Sequence, residues 1–566
     1  MSTSPLTEPT PTVGASGPAS PVRTLDVAGA PEATRAGSGR PVLRGPGTPA
    51  RFRTARARRT LIPWAIGLVA ALVSAAGSGN ASYWGDEAAS VMSAERSIPN
   101  LFALLGNIDA VHGSYYLFLH FWTGLVGTGE FAVRLPSAVA VGVAAAGTVM
   151  LGRQLLGGRA AIVAGLLFAV IPQVTMMGQE ARSYAFGMAA AVWLTNWLVA
   201  LVRRRELSPR TWALFGVAVA ACLYLFLYLA LLALVHVAVF VAFKPGPRMW
   251  RAWARSLVLA AVLAAPVVVF GLAQRGQIGF LARRNYATLE SALVGQWFGS
   301  AFFAVAAWAL IVVGLVAAIR SGRRAALVLG VWVIAPTALL FLGNALITPM
   351  YNLRYVAFCT PAVALLMGFG VTALAAFARG RRDSAGAAAS VSGASPRSAA
   401  TSRREATAGW MLPALAILVV AALAAPVYLA QRGPYGKDGG SDLRQVADAI
   451  QSNASPGDAI VFAEDIKPSQ KPRLSIDLYP DRFAGLSDVA LVTPFTARDQ
   501  LWDVVRPLPE AAPALLEHDT VWAVEREGRS LEDIAELQRL GFYPQQMIQV
   551  NRSVIYRMVR TPAELP

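Results

Sequence analysis

The sequence predicts a polytopic α-helical membrane protein, and three observations lead there. Of 566 residues, 55% are hydrophobic and only 15% charged, with a mean hydropathy of +0.48, too little polar surface for a water-soluble chain of this length. Apolar runs of membrane length recur from residue 61 to residue 430. The arginines behind the net charge of +17 sit in short clusters between those runs. That is the positive-inside pattern, which orients helices and requires no nucleic-acid partner.

The elements follow in chain order. Residues 1–59 begin with Pro, Gly, Ser, Thr and Ala and end in the cluster Arg51 to Arg59. Such a stretch buries too little apolar surface to offset chain entropy, so it is predicted to be a disordered, basic, cytoplasmic segment. A cleaved signal peptide is not expected, because the first apolar run lies far from Met1.

A membrane domain is predicted over 60–430. Its spans are placed at 61–79, 135–151, 160–177, 183–202, two within 211–243 split near Tyr224 to Tyr228, then 256–272, 298–319, 325–347, 355–377 and 410–430. The run 115–126 is too short to cross and reads as an interfacial helix anchored by Phe118, Phe121 and Trp122. With about eleven spans, the basic clusters at Arg153, Arg203 to Arg205, Lys244 to Arg255 and Arg320 to Arg324 share one side. The Arg-rich linker 379–409 joins them there. Cys222 and Cys359 both fall inside apolar runs, so neither a disulfide framework nor a thiolate metal site is indicated.

Residues 431–566 differ in kind. An amphipathic helix at 442–451, short strands at 459–463, 489–492, 520–524 and 553–559, and a helix at 531–540 predict a small extracytoplasmic α/β domain. Asp458 closes a turn with Gly457, and without a Gly-rich phosphate fingerprint the domain is given no chemistry.

This topology carries sequence-distant polar groups to one membrane face. Asp86, Glu87, Asp109 and His112 follow the first span in an outer loop covering about 80–134. Gln179, Glu180, Arg182 and Tyr184 lie between the third and fourth spans, and Arg354 and Tyr355 precede the tenth. Acids are costly at a membrane edge. Carboxylates for proton transfer beside an arginine that can hold a phosphate suit group transfer from a lipid phosphate.

The order of Gly85-Asp86-Glu87, Asp109-Ala110-Val111-His112-Gly113-Ser114-Tyr115-Tyr116, Phe131-Ala132-Val133-Arg134-Leu135-Pro136-Ser137, Gln179-Glu180-Ala181-Arg182-Ser183-Tyr184 and Arg354-Tyr355 with Pro361 resembles the GT-C membrane glycosyltransferases. The likeness is to the family 39 group of protein O-mannosyltransferases and aminoarabinose transferases, from about residue 61 to 374. At Gly113-Ser114 the sequence departs from relatives that carry prolines after the histidine.

The resemblance implies a multi-pass cell-membrane enzyme, a hexosyltransferase with mannose as the leading sugar. It would take that sugar from a polyprenyl-phosphate donor to a protein, lipid or glycan hydroxyl on the extracytoplasmic face. By motif, Asp86 would be the general base with Glu87 supporting it. Arg354, with Arg182, Tyr355 and His112, would hold the donor phosphate, and the loop residues Arg283 and Arg284 are further candidates. Asp109, Glu180 and Tyr184 would support the site or the acceptor. No cofactor is expected; the acids and His112 leave room for a divalent cation, but their spacing matches no structural metal site. The competing readings are a lipid-linked-sugar flippase or secondary transporter, whose polar groups belong near the bilayer midplane, and a non-catalytic scaffold.

Overall fold

The computed structural model describes residues 49–389 and 399–560, with side chains over 60–380 and 410–560. Of the segment 1–59 expected to be disordered, residues 1–48 lie outside the described residues, as does the centre of the expected linker, 390–398, whereas 49–59 form the first part of a helix, Pro49–Ala75.

Among the described residues, seven helices are long and apolar enough to cross a membrane: Glu130–Leu155, Tyr184–Arg204, Pro247–Ala273, Ala301–Arg320, Arg324–Leu346, Leu353–Gly380 and Trp410–Ala430. Four shorter apolar helices, Thr60–Ala75, Gly158–Phe168, Pro209–Leu225 and Leu227–Phe243, occupy the remaining expected spans. Length and composition thus qualify seven crossings and leave the expected count of eleven unestablished.

Burial sorts the helices into centre and rim. The most apolar window of Glu130–Leu155 is 78% buried, whereas those of Pro247–Ala273 and Trp410–Ala430 are 22% and 17% buried. Rim residues such as Val258, Val262, Leu415 and Leu418 stand exposed, as lipid-facing side chains should. A large cluster including Phe168, Phe215, Trp297 and Trp332 occupies the interior. Ala301–Arg320 and the helix Thr360–Ala389 approach through reciprocal glycines: a Cβ on Gly314 would strike the Leu366 carbonyl, and one on Gly370 the Leu310 carbonyl. Small residues let membrane helices pack backbone to backbone where apolar burial gives little drive.

The expected continuous span 160–177 is broken. Gly158–Phe168 ends, and a short helix Pro172–Met177 begins after Ile171 at φ −62° and ψ 127°. The residue before proline avoids the helical region, and proline is at home in a first helical turn. Between Pro209–Leu225 and Leu227–Phe243 the chain breaks at Phe226, φ −160° and ψ 107°, inside the stretch where a turn was expected.

The tail builds a five-stranded sheet in the order 487–488, 459–462, 520–526, 553–560, 542–549. The first three strands pair in parallel and the last three antiparallel. Helix Leu443–Asn453 covers one face through Val446 and Ile450 on Ile460, Trp522 and Ile555. Leu508–Leu515 and Glu532–Arg539 cover the other through Leu515 and Leu537 on Val461 and Ala523. The strand expected at 489–492 becomes Leu491–Thr493, paired with Val504–Val505 in a separate ribbon. Asp458 Oδ2 closes its turn by accepting from the Ser455 amide at 3.0 Å and from Trp522 Nε1 at 2.9 Å.

Candidate active site

A ten-residue helix, Gly85–Ala94, carries two acids in its first turn, Asp86 and Glu87, where the helix dipole favours negative charge. Consecutive residues point about 100° apart around a helix. The two carboxylates therefore serve different surroundings.

Asp86 is 31% exposed and meets two arginines from distant segments. Arg354 Nη1 lies 2.7 Å from Asp86 Oδ2, and Arg182 Nη2 lies 3.9 Å from Oδ1. The same Arg354 Nη1 donates to Glu180 Oε1 at 2.8 Å. Its guanidinium lies 4.8 Å from the Trp84 ring centre and 5.5 Å from that of Tyr184, so cation–π attraction holds it in place. Burial raises the Asp86 pKa, but Arg354 and Arg182 outweigh it and leave the group below its ordinary value, hence ionised at neutral pH.

Behind Arg182 the chain of polar contacts continues. Arg182 Nη1 donates to Tyr116 Oη at 3.0 Å, and Tyr116 Oη donates to Asp109 Oδ2 at 2.8 Å. Asp109 holds a left-handed backbone, φ 59°, which aspartate tolerates better than most residues. His112 packs 5.9 Å from the Tyr116 ring. Burial, aided by Arg182, pushes its pKa down to about 4, so it is a neutral imidazole at pH 7. Its Nδ1 and Glu180 Oε2 are both buried without a hydrogen-bond partner among the described residues. Tyr355 stacks on Tyr228 at 4.6 Å and, with Tyr184 and Phe226, forms an aromatic wall beside Arg354.

Glu87 is fully buried and sealed from any reactant. Arg134 takes it through two bonds of 2.8 and 2.6 Å, and the Ala181 amide donates to it at 3.0 Å. Arg134 also donates to the carbonyls of Ser78, Ala81 and Ser82. Lys437, from the tail, sits 3.6 Å from Glu87 and donates to the Gln179 carbonyl at 2.7 Å. A buried ion pair this saturated fixes register: it locks the first span's exit, the Asp86 helix and the 179–182 turn to one another. Its influence on Asp86 passes through the helix they share.

Sequence reasoning thus missed Arg134 and Lys437 as members of the site. Arg134 stood within a recognised motif, and an arginine directly before the predicted span 135–151, on the side away from the basic clusters, was the available signal. Lys437 gave no signal, being one lysine in a turn-rich stretch. Arg283 and Arg284 lie exposed on Leu281–Arg284, and neither pairs with the site's acids among the described residues. No group of three His, Cys, Asp or Glu converges on a metal position among the described residues.

Three comparisons bear on this arrangement. Residues 114–270, a little over a quarter of the chain, match the family model described as dolichyl-phosphate-mannose-protein mannosyltransferase. No curated protein matches the sequence. Among solved structures, ArnT from Cupriavidus metallidurans in the apo state superposes with a TM-score of 0.53 at 15% identity, over 90% of this chain and 100% of that one. ArnT bound to undecaprenyl phosphate gives 0.54 at 16% identity, over 91% and 100%. The chain has the GT-C fold. The arabinofuranosyltransferase AftD from Mycobacteria is matched at 0.46 and 16% identity, over 89% of this chain and 40% of that one.

Within this GT-C core, Asp86, Glu180, Arg182 and Arg354 come from three segments separated by up to 268 residues, and meet where the Asp86 helix faces the starts of Tyr184–Arg204 and Leu353–Gly380. An ionised carboxylate beside two guanidinium groups and an aromatic wall has the parts to accept a proton and to hold an anion.

Proposed function

We propose that the chain transfers a hexose, with mannose the first candidate, from a polyprenyl-phosphate donor to an acceptor hydroxyl at the extracytoplasmic face. The observation that carries this reading is the shared guanidinium: one Nη1 of Arg354 bridges Asp86 and Glu180. A lipid phosphate arriving there draws on the same charge. Asp86 then loses part of the pairing that holds its pKa down and becomes a stronger base where the hydroxyl must be activated. The fold supports the reading, as does the match to a mannosyltransferase family model over residues 114–270.

In this mechanism the acceptor oxygen attacks the anomeric carbon, and its proton passes to Asp86. The bond from that carbon to the phosphate oxygen breaks, and its electron pair leaves with the lipid phosphate. Negative charge on the departing phosphate grows in the transition state, where Arg354 and Arg182 stabilise it. Tyr184 and Tyr355 offer aromatic faces to the sugar or the first isoprenes. Glu87, with Arg134 and Lys437, holds the Asp86 helix in register.

The test is transfer by membranes incubated with a panel of labelled polyprenyl-phosphate sugars. The wild type should label an acceptor from a hexosyl donor, and Asp86→Asn should reduce transfer by about 100- to 10,000-fold while still binding donor. Wild-type transfer rates in Asp86→Asn would end the assignment of Asp86 as base. Movement of the donor across the bilayer without transfer would favour the flippase.

A further inference from the structure

A large groove lies at the other end of the helices that carry the site. Arg134 and Arg153 share the helix Glu130–Leu155, and Tyr184 and Arg203 share Tyr184–Arg204. Each pair is nineteen residues apart, about 28 Å along a helix. Around the far end, helices Gly158–Phe168 and Pro209–Leu225 join these two in lining a groove of about 1550 Å³, more than the roughly 300–1,000 Å³ of small-molecule pockets. Arg153, Arg159, Arg203 and Arg204 line its mouth and Trp193 and Trp197 its wall, and among the described residues no acid lines it.

The groove is built, and its polar floor is already satisfied. Gln154 Nε2 donates to Asn196 Oδ1 at 2.8 Å, and Asn196 Nδ2 donates to the Gly147 carbonyl at 2.8 Å. Trp193 Nε1 donates to the Val143 carbonyl at 3.0 Å, and Arg203 is tethered to the Gln154 carbonyl at 3.1 Å. The hydrogen bonds of the floor run within the protein, whereas Arg159, Arg203 and Arg204 bring positive charge to the groove beside apolar walls. An orienting charge cluster alone requires basic residues but no cavity beneath them.

We propose that this groove holds one anionic glycerophospholipid of the bilayer, its phosphate among the arginines and an acyl chain along Trp193 and Trp197. Arginine suits phosphate through its planar fork, and basic pockets between membrane helices favour anionic headgroups. A polyprenyl phosphate is the lesser fit, because its phosphate would sit about 28 Å of helix away from Arg354.

Native mass spectrometry of the full chain in detergent, offered equal phosphatidylglycerol and phosphatidylcholine, tests the site. The wild type should retain one phosphatidylglycerol. The triple variant Arg159→Gln/Arg203→Gln/Arg204→Gln should lose that preference on the order of a hundredfold. The control Arg248→Gln/Arg251→Gln/Arg255→Gln, from a basic cluster outside the groove, should keep it. Ala190→Phe narrows the groove without changing charge and should also lower retention, which covers the case of a triple variant that fails to fold. Equal retention of both lipids, equal loss in the control, or displacement of phosphatidylglycerol by stoichiometric undecaprenyl phosphate would overturn the proposal.

Discussion

Arg354 bridges two carboxylates with one nitrogen while its plane lies against Trp84 and Tyr184, so both its shape and its charge are used. A lysine keeps the charge but not the planar fork or the ring contact. Arg354→Lys should therefore retain part of donor binding and transfer, and Arg354→Ala should lose both; unchanged turnover in Arg354→Ala, measured with labelled donor, would remove the phosphate role. His112 supports a second prediction at this scale. Its folded pKa, about 4, lies below the ordinary 6.5 because of burial and Arg182, against the opposing pull of Asp109 and Asp86. Between those values the unfolded chain binds the proton and the folded chain does not. The neutral histidine's contribution is thus whole above about pH 6.5 and is lost as pH falls through about 4. His112→Gln should flatten the thermal stability profile across that window, and an unchanged profile would show that the histidine titrates normally.

At the level of elements, the tail domain presses on the Asp86 helix. Gly85 opens that helix against the Ser469 carbonyl, leaving no room for a Cβ. Arg96, just past its end, is buried and donates to the carbonyls of Arg498, Gln500 and Leu501. Gly85→Val should force the two apart, speeding limited proteolysis of the tail and lowering transfer. Gly106→Val, where a Cβ meets nothing within 4 Å, should do neither, and equal behaviour of the two variants would refute a tight docking. How far this level was legible depends on what carried the signal. Helix Leu443–Asn453 and the strands near 459, 520 and 553 announced themselves by apolar spacing. Strand Phe542–Gln549 did not, because it is an edge strand with most residues exposed and Pro544 within it. The break before Pro172 was overridden in the sequence reading by an apolar run of the right length. The acids of the site were legible because charge at a membrane edge is rare; Lys437 was not, because only the docked tail brings it to Glu87.

For the molecule as a whole, the charges divide by helix end. Arg134, Tyr184 and Arg354 stand at the starts of helices whose other ends, for the first two, carry Arg153 and Arg203 to Arg205. By the positive-inside rule we propose that the arginine-rich end is cytoplasmic and the Asp86 end outside. A sugar donor handed over at the Asp86 end and an anionic lipid held at the other are both consistent with that orientation. Cysteine labelling tests it directly, but the positions must be chosen by exposure: Gln179, in the turn before Tyr184–Arg204, is only 1% exposed and would stay silent on either side. Leu289 is 76% exposed in the loop before Ala301–Arg320, while Glu517 in the tail and Arg204 are also exposed. In a background lacking Cys222 and Cys359, Leu289→Cys and Glu517→Cys should react with an impermeant maleimide on intact cells. Arg204→Cys should react only after lysis. Labelling of Arg204→Cys on intact cells, with protection of Glu517→Cys, would invert the orientation. The proposed transfer would then have to draw on donor and acceptor at the cytoplasmic face.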